Sequence, residues 1–322
     1  AGLTYEATLY NGLNSGKVVN DTITAPWSSS ATAVHALSGG LPAQKAFLTG
    51  QNAVNVFTPL ASGSTRETET DYTHDSHGRV TKVDDKGDVS TASDDLCTTA
   101  SYADNTSAWI FDLVDETKTV SVNCSATPAL PADAVSDKRV FYDGSGTLGA
   151  APTVGDPTST QQATSYTGST PVYSTMSSLT TDVYDRTLTS TDADQQTTKT
   201  TYTPTTGAAP TAIVSTDPMQ QTLSQTYDPL RGLMLTQTTA AGYVTKAQYD
   251  ALGRITAVFR PGITAATNKY SYTLAPDKPS SVITQTLNDD GSYRSSELLM
   301  DSLLRPRETQ IATVDGRRDV TD

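Results

Sequence analysis

An all-β chain of repeated antiparallel hairpins is predicted by three features of the sequence. The composition is rich in Thr, Ser, Gly and Asp, the aromatic residues are mostly tyrosine, and a Tyr-Asp dipeptide with close variants recurs at near-regular spacing. The hydrophobic share of the 322 residues is 36%, below the ~45–50% apolar share usual for a globular domain, and charged residues at 18% do not fill the difference. Thr is β-branched and suits a half-exposed strand, whereas Gly, Asp and Asn supply tight turns. Tyrosine, with 15 residues against 5 Phe and 2 Trp, points to thin layers in which a ring packs while its hydroxyl stays near water.

Along the chain, residues 1–60 read as a β-rich lead-in, less repetitive than residues 61–322. Tyr5–Tyr10 and Val18–Thr24 alternate as strands, Pro26-Trp27 marks a turn with a core anchor, and Val34–Leu37 is a further short strand. The stretch Pro42-Ala-Gln-Lys-Ala-Phe-Leu48 carries a weak helical pattern, the single non-β element suggested.

Residues 61–322 form the repeat array. The dipeptide stands at His74-Asp75, Tyr142-Asp143, Tyr184-Asp185, Tyr227-Asp228, Tyr249-Asp250 and Met300-Asp301, with separations of 68, 42, 43, 22 and 51 residues. All but the last lie near multiples of a unit of about 22 residues, the size of one supersecondary repeat. Two copies are fullest: Tyr72-Thr-His74-Asp75-Ser-His-Gly78-Arg79-Val80, and Tyr249-Asp250-Ala-Leu-Gly253-Arg254-Ile255. In each, an alternating strand runs into Asp-x-x-Gly, where the Asp side chain accepts from backbone N–H groups and Gly takes the positive-φ position. A second strand then leads to another turn, placed at Asp84–Gly87, Asp192–Asp194, Asp217-Pro218, Asn288–Gly291 and Val314–Gly316. Turns about every ten residues describe a meander, and since one hairpin buries too little to stand alone, neighbours must join.

Cys97 and Cys124 lie 27 positions apart, each at the edge of a strand-like run. A bridge between them would contribute roughly 3.5 kcal/mol in the chain-entropy picture. Two unpaired thiols are the alternative, and a metal site would need more ligands than two Cys supply.

The pattern Tyr-x-Tyr-Asp-x-x-Gly-Arg-Leu, approached at Tyr72–Val80 and Gln248–Ile255, resembles the YD repeat of Rhs proteins, teneurins and the shell subunits of insecticidal toxin complexes. The stretch Leu96–Ser125, with Trp109-Ile-Phe-Asp and Thr119-Val-Ser-Val-Asn-Cys, is similar to the actinobacterial branch of Rhs-repeat proteins, as are Phe141–Gly144 and Leu303–Pro306. The resemblance covers residues 60–322 and, more weakly, the region around Pro26-Trp27. It implies a sheet of hairpins that spirals into a hollow shell around a C-terminal effector, often a toxin. Departures are visible: Ala247 stands in a Tyr slot, Met300 replaces Tyr, Tyr184-Asp185-Arg186 lacks the Gly of the turn, and Arg231-Gly232 inverts the usual order. Rhs cores end in a self-cleaving Asp-Pro-x-Gly-Leu motif; Asp228-Pro229-Leu230-Arg231-Gly232-Leu233 has one residue too many and falls where an ordinary repeat is due.

Signals for chemistry are sparse. His74 and His77 flank Asp75-Ser76, yet His35 is the sole remaining histidine, and the pair fits a repeat slot and a turn. Thr286–Glu297 approaches a calcium loop, but its first position is Thr286 rather than Asp and its flanks read as strands. No nucleophile elbow or phosphate loop occurs. No enzyme activity and no cofactor are expected.

The net charge of −13, without any Lys/Arg cluster, excludes a sequence-independent grip on nucleic acid and disfavours anionic membrane. No apolar run approaches the 18 residues needed to span a bilayer. The first residues lack a signal-peptide pattern, and the sequence starts without Met and stops mid-pattern at Asp322, which suggests a piece of a longer chain. The expectation is a structural shell segment of an exported, extracellular protein, whose partner is an effector in the same polypeptide. Its structural residues are Tyr72, Asp75, Gly78, Arg79, Tyr142, Asp143, Tyr227, Asp228, Tyr249, Asp250, Gly253 and Arg254, with Cys97 and Cys124 as the candidate disulfide. The rival is a cell-surface adhesin binding glycan or cell wall through its tyrosines.

Overall fold

The computed structural model describes residues 2–12, 16–207, 209–274, 278–313 and 315–322, and every regular element among them is a β-strand. The residues divide into two compact units: 1–186 with 190–195, and 187–189 with 196–322.

The first unit holds β1 (Glu6–Tyr10), β2 (Val18–Ser28), β3 (Ala33–His35), β4 (Gln44–Ala46), β5 (Thr49–Pro59), β6 (Thr65–His74), β7 (Val80–Asp88), β8 (Leu96–Asn105), β9 (Ile110–Val120), β10 (Ala134–Tyr142), β11 (Pro157–Thr167) and β12 (Thr170–Thr181). β1 pairs with β2 and β2 with β5, after which each strand pairs antiparallel with the next as far as β12. β3 and β4 form a separate hairpin. The chain crosses into the second unit within β13 (Thr187–Asp192).

The second unit continues with β14 (Thr197–Thr203), β15 (Ala212–Thr216), β16 (Thr222–Asp228), β17 (Leu233–Thr238), β18 (Val244–Tyr249), β19 (Ile255–Phe259), β20 (Asn268–Thr273), β21 (Ser280–Leu287), β22 (Tyr293–Met300), β23 (Pro306–Ala312) and β24 (Arg318–Thr321). They form an unbroken antiparallel meander.

Among the described residues the buried apolar side chains are Ala53, Cys97, Ala103, Phe141, Pro152, Ala257 and Ala266, too few and too small for a thick core. The accessible surface is 20320 Å², against about 12,800 Å² for a compact monomer of this mass. Cohesion therefore rests on the backbone ladders and on side chains lying along the sheet. β5 and β6 meet at a turn closed by Leu60 and Ser64, so the ladder runs through the junction at residue 60.

Four sequence expectations are corrected. Pro26-Trp27 is not a turn: both residues lie in β2, opposite Gln51 and Gly50, just past a register shift at Ala25. Pro is tolerated there because this end of β2 pairs on one side only, and its missing N–H is not needed. The Pro42–Leu48 helical pattern forms no helix; Gln44–Ala46 is β4. Val34–Leu37 shortens to β3, which ends at His35. Asp84–Gly87 remains in strand β7, because Lys86 reaches Glu69 (2.6 Å) and Asp71 (2.7 Å) of β6 and neutralises the acidic run. The chain turns later, where Asp88 accepts from the N–H of Ser90 (3.0 Å). Val314 lies outside the described residues.

Candidate functional site

The recurring structural site is a five-residue turn and the tyrosine of the following hairpin. At 75–79 the Asp75 N–H donates to the Arg79 carbonyl (3.0 Å) and the Gly78 N–H to the Asp75 carbonyl (3.1 Å). The same pair of bonds closes 60–64, 182–186, 217–221, 239–243, 250–254, 288–292, 301–305 and 313–317. The fourth residue of each turn takes a positive φ: Gly78 at 80° and Gly253 at 79°, where glycine bears no Cβ penalty.

Asp at the first position closes the turn a second time. Asp75 Oδ1 accepts from the N–H groups of His77 (2.8 Å) and Arg79 (3.0 Å), while Oδ2 accepts from Arg79 Nε (2.7 Å). Asp250 holds Leu252, Arg254 N and Arg254 Nε at 2.9, 2.9 and 2.7 Å, and Asp301 repeats this with Leu303 and Arg305. Burial works against the Asp75 charge, but the Arg79 side chain and two backbone N–H groups outweigh it and hold the carboxyl below its ordinary range. At Asp250 burial is likewise outweighed by Arg254 and Leu252, and at Asp301 the Arg305 side chain lowers the carboxyl first.

Tyr184-Asp185-Arg186, which lacks glycine, has nevertheless kept the turn. Its frame is Asp182-Val-Tyr-Asp185-Arg186: Asp182 accepts from Tyr184 N (2.9 Å), Arg186 N (3.1 Å) and Arg186 Nε (2.7 Å), and Asp185 fills the positive-φ slot at 60°. Asp enters the left-handed region more readily than most residues, which is why the slot survives. Gln220 and Leu304 occupy the same slot at 64° and 60°. Asp228–Gly232 is an ordinary turn between β16 and β17, with the Gly232 N–H on the Asp228 carbonyl (2.8 Å) and Arg231 Nη2 on Asp228 (2.8 Å).

At several places a tyrosine locks one hairpin to the next. The hydroxyls of Tyr102, Tyr142, Tyr249 and Tyr272 donate to the carbonyls of Val80, Val114, Met234 and Ile255, at 2.7, 2.7, 2.9 and 2.9 Å. Each accepting residue stands immediately before the extra residue of a β-bulge, the point where a ladder leaves groups unpaired. Tyr202 makes the equivalent bond to Thr187 after the 182–186 turn (3.0 Å). Arg79 and Arg254 lie over the rings of Tyr102 and Tyr272, 4.2 and 4.5 Å from the centroids. Turn carboxylate, guanidinium, ring and bulge carbonyl thus form one continuous strut. Arg79 also reaches a neighbouring hairpin's carboxylate, Asp104 (2.5 Å), and the Phe111 carbonyl, whereas Arg254 and Arg305 pair with the Asp of their own turn.

The remaining predicted residues have other roles. Tyr72 lies opposite Val83 in the ladder, and the Tyr227 hydroxyl donates to Gln225 (3.0 Å). Asp143 opens no five-residue turn of this kind; at φ 54° it lies in a tight turn closed by the Ser145 N–H on the Tyr142 carbonyl (2.9 Å), and its carboxylate accepts from the N–H groups of Thr153, Val154, Gly155 and Asp156 at 2.6–3.2 Å, anchoring the loop from β10 to β11. Burial opposes its charge, and these four donors overcome it to lower its pKa. Cys97 and Cys124 form a disulfide with Cα atoms 4.9 Å apart. His74 stacks on Trp27 (4.2 Å) and His77 on Phe111 (5.0 Å), so neither ring is aimed at the other. Thr286 and Leu287 end β21, Asn288–Ser292 is a hairpin turn, and Glu297 lies within β22 opposite Ile283. The tyrosines that stack on Arg79 and Arg254 escaped the motif. Their signal is a Tyr 20–27 residues after a turn Asp, as in Asp182 to Tyr202, Asp228 to Tyr249, Asp250 to Tyr272 and Asp75 to Tyr102.

Among the described residues no group of three or more His, Cys, Asp or Glu side chains is arranged to hold a metal ion, and no helix is long and apolar enough to cross a membrane. The turn carboxylates are tied to guanidinium or backbone donors, an arrangement that fixes geometry.

No protein-family profile matches this chain, and no curated protein does. Solved structures do. The chain is similar to TcdB2-TccC3 with a TM-score of 0.67 at 12% identity, covering 98% of this chain and 22% of that one. Its similarity to TcdB2-TccC3-Cdc42 has a TM-score of 0.69 at 10% identity over 99% of this chain, and to TcdB2-TccC3 without its hypervariable C-terminal region 0.70 at 10% over 97%. The chain spans less than a quarter of the length of those chains. At this identity the likeness concerns architecture: the chain has the antiparallel all-β hairpin fold of a stretch of the TcdB2-TccC3 toxin-complex structures.

Proposed function

We propose that this chain is a stretch of wall in a Rhs/YD-type shell, of the actinobacterial kind its motifs resemble, exported from the cell and enclosing an effector segment of the same polypeptide. The observation that carries this reading is an array of antiparallel hairpins with few fully buried side chains, whose fold matches TcdB2-TccC3 over nearly its whole length. A sheet with so little buried apolar area makes a poor independent core but a good partition. Adjacent strands ~4.8 Å apart leave no gap for a macromolecule. The Tyr–bulge bonds stitch consecutive hairpins, so the wall resists opening between repeats. In this reading the chain is no enzyme; its role is containment.

A second reading, a surface module that binds glycan, is favoured by Trp109, which is 83% exposed beside Phe111. The tyrosine struts favour the wall, because their hydroxyls point into the sheet. The test uses the polypeptide that carries this chain together with the residues encoded after it. A protease is added before and after acid or denaturant opens the fold. A wall protects the following segment until it is opened. Digestion of that segment at the rate of the isolated segment, or the absence of any such segment, overturns the proposal, and glycan-array binding would favour the second reading.

A further inference from the structure

Within the second unit lies a cleft of about 730 Å³, floored by β17, β18 and β19 and walled on one side by the 260–264 loop. This lies within the roughly 300–1,000 Å³ range of ligand clefts. Val244, Phe259 and Ile263 supply its apolar lining. Two cations stand at it, Lys246 and Arg260, and neither side chain has a hydrogen bond or ion pair among the described residues. Lys246 and Phe259 face each other in the β18–β19 register, so charge and ring are presented on one face.

The surroundings are unusual for this chain. Strands β17 to β21 contain no Asp or Glu. From residue 233 to residue 287 there are five Lys or Arg and two Asp, in a protein whose net charge is −13. One of the two, Asp250, is engaged by Arg254 (2.7 Å). Lys269 lies on the same face as the cleft floor, opposite Ala257. A cation left unpaired beside apolar surface leaves attraction for an anion unspent, and complementary charge gives specificity to a contact of this kind.

We propose that this cleft is a docking site for an extended peptide segment in which carboxylates alternate with large apolar side chains. The lining decides between a peptide and a fatty acid. Thr236, Gln248 and Thr264 are interspersed with the apolar residues, so the floor offers hydrogen-bonding groups at intervals. A polypeptide, with an amide at every residue, matches that alternation, whereas an alkyl chain would leave those groups unpaired. The inference is independent of the wall reading and holds or fails without it.

The test measures fluorescence anisotropy of the whole chain with a labelled hexapeptide alternating Asp with Leu and Phe. Three competitors are added: the same peptide with Lys for Asp, one with Ser for Leu and Phe, and dodecanoate. Binding of the acidic-apolar peptide is expected, weakened about five-fold in the Lys246→Gln/Arg260→Gln double variant, consistent with two exposed ion pairs of modest strength. Neither the Lys nor the Ser peptide should compete. Lys82→Gln, in the first unit, should leave the affinity unchanged, and circular dichroism confirms that the variants fold. Equal binding to the double variant, competition by the Lys peptide, no binding at all, or displacement by dodecanoate at lower concentration than by peptide would each overturn the proposal.

Discussion

Replacing Tyr272 by Phe isolates the bond on which the hairpin interlock depends. The ring and its stack under Arg254, 4.5 Å away, are retained; the hydroxyl that donates to the Ile255 carbonyl at 2.9 Å is lost. Ile255 precedes the extra residue of a bulge, so no strand N–H is positioned to replace the donor. A neutral hydrogen bond contributes ~0.5–1.5 kcal/mol net, and a stranded buried acceptor costs ~1–3 kcal/mol. Because the site is half-buried and water can partly substitute, the loss should be about 1–1.5 kcal/mol. Urea denaturation followed by far-ultraviolet circular dichroism should show a lower midpoint at unchanged slope. Tyr102→Phe and Tyr249→Phe should behave alike, since their bonds to Val80 and Met234 have the same geometry. Tyr243→Phe is the control: it is 62% exposed and should shift stability by no more than about 0.5 kcal/mol. If Tyr272→Phe is as mild as Tyr243→Phe, the tyrosines pack as rings only and the strut has no energetic meaning.

Substitutions at the positive-φ slot should act in opposite directions. Gly253→Val forces a β-branched residue to φ 79° and should cost about 2 kcal/mol, whereas Leu304→Gly relieves φ 60° and should gain about 0.5 kcal/mol after the entropy of glycine is subtracted; both are read from thermal midpoints. Acid should weaken the array over a defined window. Asp75, Asp182, Asp228, Asp250 and Asp301 all have folded pKa values below their unfolded ones, so their stabilisation is complete above the unfolded value near ~3.9 and is lost as pH falls through the folded values. Denaturation midpoints flat from pH 7 to 5 and falling steeply below 4 are expected; a stability maximum below pH 4 would contradict the assignment. Reduction of Cys97–Cys124, which closes a loop with a sequence separation of 27, should lower the first unit's stability by roughly 3.5 kcal/mol, read from denaturation with and without reductant.

The hairpin array was legible because its determinants are local. Asp at the first turn position and Gly at the fourth act within five residues, so 75–79 and 250–254 could be identified from the chain alone. Less local features escaped. Asp84–Gly87 has turn composition, yet it stays in strand because Lys86 finds Glu69 and Asp71 seventeen and fifteen residues back. Asp143 sits in the expected dipeptide, but its donors come from residues 153–156. Tyr184-Asp185 lies three residues out of frame with the turn's first residue, because here the turn is framed by Asp182 and Arg186. The cleft of the second unit had no sequence signal, since it depends on how the 260–264 loop folds over β18 and β19.

These misplacements explain how the repeat tolerates drift. The turn draws on an acceptor at its first position, a residue able to take positive φ at its fourth and, in several copies, a tyrosine from the next hairpin. Asp opens 75–79, 182–186, 217–221, 250–254 and 301–305, with a paired Arg in all but 217–221; Leu60, Thr239, Asn288 and Thr313 open the others, and the fourth position is filled by Gly, Asp, Gln or Leu. A non-glycine residue at that slot costs about 1–2 kcal/mol. That is a serious loss for one hairpin, but in an array each hairpin is held by ladders on both sides, and the strain stays local. The tyrosine is under the stronger constraint, because no other side chain combines a flat apolar body with a donor at the length needed to reach a carbonyl one strand away. Leu or Phe at position 272 would still pack, and Thr or Ser would still donate, but neither would do both. Repeats of this kind should therefore drift more freely at the turn glycine than at a tyrosine whose hydroxyl reaches a bulge carbonyl, whether that tyrosine opens a dipeptide, as Tyr142 and Tyr249 do, or stands outside one, as Tyr102 and Tyr272 do. Asp75 shows the pattern: His74 stands where the dipeptide has tyrosine, while Tyr102 completes the strut.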